Sequence, residues 1–427
     1  MVLELEREKS WKLLCQASPR WRGIFAALLG FGALVFFLAL RVDPLRGWQA
    51  YLINFLFWGG VAQGAVVFAA IYHVVGGKWG PSVRRCGEGM VAFLPVNLAL
   101  FLPLYFTLDR FLSPARDLNP ARGAWFDPRF IFVRGVLGLG LMTVLSLFFV
   151  YYAVRPEVGW AHELKRRPRR WIYEWITDGW EGEEIENQRC RRGMDIMAAG
   201  VLLAYPMTYT FMAFDLIMAL DPIWYSSLFG GYFFISTFYL GLAGVTLVCV
   251  LIQRQLDPSV VTSSQLSDLG RLLLGFDLTY LAMIWSQYIV IWYGNLPEET
   301  QFIILRVWTM PWAIFSWSIL ALSVFFPFLI FLSRRAKQVP KAMSAVAVAI
   351  GCGMWLERYI LIVPSLWHSD SFPLGWIELG VTAGFLGACG LSYLFFLARF
   401  PVIPFVAQGA RPAALEIERA EEHPSKA

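Results

Sequence analysis

Apolar residues run through this chain in ten long stretches, at 23–40, 50–75, 87–108, 129–154, 193–219, 229–252, 266–292, 303–332, 342–363 and 374–398. Each is long enough to cross roughly 30 Å of hydrocarbon as a helix. The pattern predicts an all-α polytopic membrane protein of ten transmembrane helices. Residues 1–22 mix five basic residues with Glu4, Glu6 and Glu8, and read as a cytoplasmic N-terminal arm. The first stretch ends in "FFLALRVDP", which offers no small-x-small cleavage site, so it is kept as a span and not read as a signal peptide.

The loops set the orientation. With a cytoplasmic N-terminus, that side of the membrane carries 26 Lys and Arg and the other side 6; the remaining four, Arg134, Arg271, Arg306 and Arg358, lie within spans. The positive-inside rule then places both termini in the cytoplasm. The net charge of +5 is a topology signal, since "KRRPRR" (165–170) and "RCRR" (189–192) fall on the basic side, and no nucleic-acid partner is expected. A composition of 58% hydrophobic against 16% charged residues agrees with the membrane reading. Cysteines at 15, 86, 190, 249, 352 and 389 fall in spans or cytoplasmic segments, so no disulfide framework is expected. The cytoplasmic loop 155–192 is too short and too charged to bury a core. Its "RRWIYEWITDGWEGEEIE" reads as an interfacial segment anchored by Trp, or as a dock for a peripheral subunit.

Redox chemistry within the chain is not expected. Of four histidines, His162 and His423 are cytoplasmic, while His73 and His368 belong to opposite faces, so no bis-His haem site can be assembled. There is no CxxCH, CxxC or run of four spaced cysteines, and no GxxxxGK[ST] or GxGxxG.

The chain also contains an internal repeat. "RFIFVRGV" (129–136) aligns with "QFIILRVW" (301–308), which pairs Arg134 with Arg306. "GEGMVAFLPVNLAL" (87–100) lies on "SDLGRLLLGFDLTY" (267–280), which pairs Glu88 with Asp268 and Asn97 with Asp277. "DPIWYSS" (221–227) set against "PSLWHSD" (364–370) places Asp215 opposite Arg358. Spans two to five and six to nine then form two four-helix bundles, related by a parallel pseudo-two-fold because four is even. The domain layout follows: the arm 1–22, first span and outer loop 23–49, first bundle 50–219, second bundle 229–363, tenth span 374–398 and cytoplasmic tail 399–427.

Charges inside spans cost roughly 2.5–3.5 kcal/mol each at the centre of an isolated helix, so their depth is informative. Arg134, Asp215, Arg306, Glu357, Arg358 and Glu378 form an outer layer; His73, Glu88, Asp195, Asp268 and Arg271 form an inner one. Gln63, Asn97 and Asp277 lie between. Asp277 has no basic neighbour in sequence and suits a group that takes a proton from one half-channel and passes it to another. The outer layer is equally explained by ion pairs joining Glu357 or Asp215 to Arg134, Arg306 or Arg358. Prolines at 95, 103, 206, 311 and 327 should kink spans and free carbonyls. "GGVAQG" (59–64) and "GVTAG" (380–384) should let helices approach closely.

Three stretches resemble the NrfD-like family, the membrane subunits of polysulfide-reductase-type complexes: 51–71, 316–337 and "MWLERYILIVPSLWHSDSFPLGWIELGVTAGFLGACGLSYLFFLARFPVIP" (354–404). Within that family the chain is most similar to the smaller of the two NrfD-like subunits of bacterial alternative complex III. The resemblance implies a multi-pass protein of the bacterial inner membrane, part of a quinol:electron-acceptor oxidoreductase. The implied partners are a larger NrfD-like subunit, cytochrome c subunits, an iron–sulfur subunit and lipids. Haem c and iron–sulfur clusters would then reside in the partners, and any quinone site in the larger subunit. A secondary transporter and a scaffold without conduction are the competing readings.

Overall fold

The computed structural model describes residues 19–118, 124–163, 171–221, 223–255, 260–367, 374–402 and 404, with the side chains of 114–118 and 162–163 excepted. His368, His423, the side chain of His162, the basic run 165–170, nearly all of the arm and the tail from 405 lie outside the described residues. Everything described is helix or connection, without a strand. Among the described residues ten helices are long and apolar enough to cross a membrane: α1 Pro19–Val42, α2 Pro44–Val74, α3 Pro81–Ser113, α4 Pro128–Ala161, α5 Glu183–Leu220, α6 Phe229–Gln255, α7 Ser263–Gly294, α8 Trp312–Leu332, α9 Pro340–Leu366 and α10 Trp376–Leu397.

Local chemistry sets where these helices begin. Proline opens α2, α3, α4 and α9, where its missing N–H costs nothing. Asp43 caps α2 by accepting from the Arg46 amide at 3.1 Å, and Asp127 does the same for α4 through Arg129 and Phe130. Thr262 and Gln265 close a reciprocal capping box on α7. At the far end of α7, Asn295 takes φ +47° and stops the helix.

Two spans depart from a simple rod. In α3, short 3₁₀ segments at Gly89–Phe93 and Leu102–Leu104 accompany Pro95 and Pro103. The eighth apolar stretch is divided: Pro297–Val307 is a separate helix, and α8 starts at Trp312 after a turn. A continuous span over 303–332 is therefore corrected, and Arg306 sits in the short helix that precedes α8. Within α8, residues Ala321–Phe325 form a π segment just before Pro327. Pro206, by contrast, is carried inside α5 without ending it.

Glycines set the closest crossings. A Cβ on Gly241 of α6 would lie 2.4 Å from the carbonyl carbon of Gly64 on α2, so those backbones touch. The α1–α10 crossing is built the same way: a Cβ on Gly32 would lie 2.2 Å from the Gly384 Cα. Both glycine pairs picked out in the sequence thus serve close packing. The apolar 18-residue stretch of α2 is 89% buried, whereas those of α1 and α7 are 17% buried, so α2 forms the interior and α1 and α7 the rim. Arg84, Arg85, Arg155, Arg189, Arg254 and Arg271 gather at one end of the bundle, called here the basic end.

Candidate functional site

Helices α6, α7 and α9 bring a polar cluster into the apolar interior. On α9, Glu357 and the neighbouring Arg358 form a direct ion pair, and both side chains are almost wholly buried. The Arg358 Nη2 also donates to Ser236 Oγ at 3.0 Å and Thr237 Oγ1 at 2.9 Å, and its guanidinium stacks over Phe233 at 4.3 Å. Ser236 and Thr237 in turn donate to the Phe233 carbonyl, the habit of hydroxyl residues inside helices. Glu357 accepts from the hydroxyl of Tyr232 and, at 3.3 Å, from that of Tyr280. A buried ion pair offsets its desolvation only when its remaining donors and acceptors are met. Here the two hydroxyls of α6 and the two tyrosines meet nearly all of them; the Arg358 Nε is the exception.

Asp277 lies one turn from Tyr280 on the same face of α7. It is 0% exposed, and neither carboxyl oxygen has a partner at hydrogen-bond distance among the described residues. The ionisable group that interacts with it is Tyr239 of α6, whose hydroxyl is a potential donor to the carboxyl. The Tyr239 hydroxyl donates instead to the carbonyl of Ser323, at 3.0 Å. That carbonyl is free because Pro327, four residues on, has no N–H to offer it. The Ser323 hydroxyl, also 0% exposed, is a third unpartnered oxygen of this region. Such groups are met in proteins by water or by a proton.

The remaining predicted residues distribute over separate places. Arg134 of α4 pairs with Asp215 of α5 through two contacts, at 2.7 and 2.5 Å. Among the described residues Arg306 forms no ion pair; it donates to the carbonyls of Ile360, Phe302 and Leu361 and to the Ser365 hydroxyl. Ile360 is free to accept because Pro364 removes its helical donor. Glu378 of α10 accepts from Arg46 of α2 at 2.5 and 2.9 Å, so the expected single outer layer of interchangeable pairs is four independent sites. Gln63 donates to Ser146 at 3.1 Å, Asn97 packs against Gly59 with its Oδ1 unpartnered, and His73 bonds Asp195 at 2.7 Å. Glu88 lies 2.9 Å from Arg84 and 3.0 Å from Arg85. Asp268 pairs with Arg271 at the surface, at 2.8 Å.

Sequence reasoning missed a network at the basic end. Arg85 also reaches Glu157 at 2.5 Å. Arg155 holds Glu186 at 2.7 Å and donates to the carbonyls of Ile176 and Asp178, which pins the segment after the short helix Trp171–Ile176. Arg155 and Glu157 were assigned to a loop because the apolar run was ended at 154, whereas α4 continues through Pro156. The resumption of apolar residues in "VGW" (158–160) was the available signal. Tyr232, Ser236 and Thr237 are hidden inside an apolar stretch, although Tyr232 and Ser236 stand one helical turn apart on α6.

Among the described residues no group of three or more His, Cys, Asp or Glu is placed to hold a metal ion. Comparison with protein-family models and with curated proteins gives no match.

Proposed function

We propose that this chain is an integral membrane subunit of a quinol:electron-acceptor oxidoreductase complex of NrfD-like type, without a redox centre of its own, and that it handles protons at Asp277. Its place is the bacterial cytoplasmic membrane, with both termini in the cytoplasm. A larger NrfD-like subunit, cytochrome c subunits and an iron–sulfur subunit are its partners, and carry the haem c and the clusters. The resemblance of 51–71, 316–337 and 354–404 supports the class.

One observation carries the proton-handling part: a carboxyl in the middle of α7, fully buried, with no cation beside it and the Tyr239 hydroxyl, already given to Ser323, as its one polar neighbour among the described ionisable groups. A carboxylate in that setting, without a cation beside it, costs several kcal/mol, so the site favours a bound proton or water. Tyr280, Glu357 and Tyr232 continue from it toward the end of the bundle opposite the basic one. Toward the basic end, Tyr239 and Ser323 are the adjoining polar groups.

In this reading α2–α5 and α6–α9 are the two bundles related by the parallel pseudo-two-fold. Packing supports it, since α2–α5 close a ring of neighbours and α6–α9 close another. Paired positions also do similar work. Arg134 ties α4 to α5, and Arg306 ties the segment before α8 to α9. Asn97 and Asp277 are both buried with an unpartnered side-chain oxygen.

Asp277→Asn in the intact complex is the test. Quinol oxidation should continue while the proton-to-electron stoichiometry falls; an unchanged stoichiometry removes the conduction role. Purification in mild detergent should bring down haem-bearing and iron–sulfur proteins. Solute uptake by liposomes containing this chain alone would point to a transporter instead.

A further inference from the structure

We infer that the pocket between α3, α4 and α5 holds one acyl lipid by the carbonyl of its ester. The pocket measures about 270 Å³ and is lined by Phe101, Arg134, Leu141, Met207 and Asp215 among others. Its polar end is built from one guanidinium. Nε and Nη2 of Arg134 are taken by Asp215, while Nη1 is buried and has no hydrogen-bond partner. Trp125 and Phe130 stack on the same guanidinium at 4.1 and 4.7 Å and shield it from water. A buried N–H of this kind demands an acceptor.

Charge selects the acceptor. Asp215 already cancels the positive charge of Arg134, so a neutral carbonyl complements the remaining N–H, whereas a phosphate would bring uncompensated charge. Depth selects its source. Arg134 lies six residues into α4, about 9 Å along the helix axis, beside a Trp of the kind that marks the membrane interface. Ester carbonyls of phospholipids sit at that boundary between headgroup and hydrocarbon. Below Arg134 the wall is continued by Leu137 and Leu141 of α4 and Met207 of α5, all exposed and all apolar. They follow the helical repeat along a track that one acyl chain would cover.

The experiment uses the full chain, purified in detergent and exchanged against an equal mixture of diester and diether phospholipids with the same headgroup and chain length. Lipid retained after washing is counted by mass spectrometry. About one phospholipid per chain should remain, with the diester preferred about tenfold, the worth of one hydrogen bond. Leu141→Trp and Met207→Trp fill the track and leave the Arg134–Asp215 pair in place; each should lower retention about tenfold without a large change in melting temperature. Equal retention of diester and diether overturns the carbonyl contact. Undiminished retention in both Trp variants overturns the pocket. A quinone recovered one-to-one in place of phospholipid overturns the assignment of an acyl lipid. None of these outcomes depends on Asp277.

Discussion

At the scale of single residues, the interior is organised by how each buried polar group is answered. Glu357 and Arg358 are answered by each other and by hydroxyls from two further helices. Glu357→Ala leaves a guanidinium buried with hydroxyls but no counter-charge, and should destabilise the protein by about 3–5 kcal/mol in SDS or thermal unfolding. Replacing both residues together by apolar side chains of similar volume should recover most of that loss. A single variant as stable as the double one would show that the pair is not what balances the site. Both charges were visible in the sequence. Their partners were not, because Tyr232, Ser236 and Thr237 come from α6, more than a hundred positions away, and their hydroxyls leave an apolar reading intact. The proline argument reached further: Pro327 is expected to free a carbonyl, and that of Ser323 is met by the Tyr239 hydroxyl.

At the scale of helices, apolar run length located all ten spans, since the hydrocarbon thickness leaves little freedom in how long each must be. It failed where backbone geometry changes without a change in hydropathy. The turn at 308–311 contains Trp308 and Met310, both apolar, so the eighth stretch reads as continuous although the helix is interrupted there. Helix α4 failed in the opposite direction, because Arg155 and Glu157 are buried in pairs and the helix goes on past them. The glycine crossings were legible as spacing, but which helix each would meet was not. The α2–α6 contact allows a direct measurement. Gly241→Leu must push α6 off the Gly64 backbone, and overpacking of that kind costs about 1–3 kcal/mol or more. SDS unfolding of the variant should register it, while Leu at Gly231, where a Cβ meets nothing within 4 Å, should be nearly silent.

At the scale of the whole molecule, charge asymmetry and symmetry are the two organising features. The proposed orientation has a simple check: a reporter enzyme that is active only in the cytoplasm, fused after Ala427, should be active, and activity of an exported reporter at the same place would reverse the assignment. One consequence follows from α7 lying at the rim. Its outer surface is bare, with Leu278 beside Asp277 and Trp285 two turns on, so only the thickness of one helix, about 10 Å, separates the carboxyl of Asp277 from whatever docks over Leu278. An electron arriving on a neighbouring protein at that range acts on the acid with about 1.7 kcal/mol at an effective dielectric of about 20. That is enough to change its occupancy by hydrogen ions on the order of tenfold, with no moving part between the two.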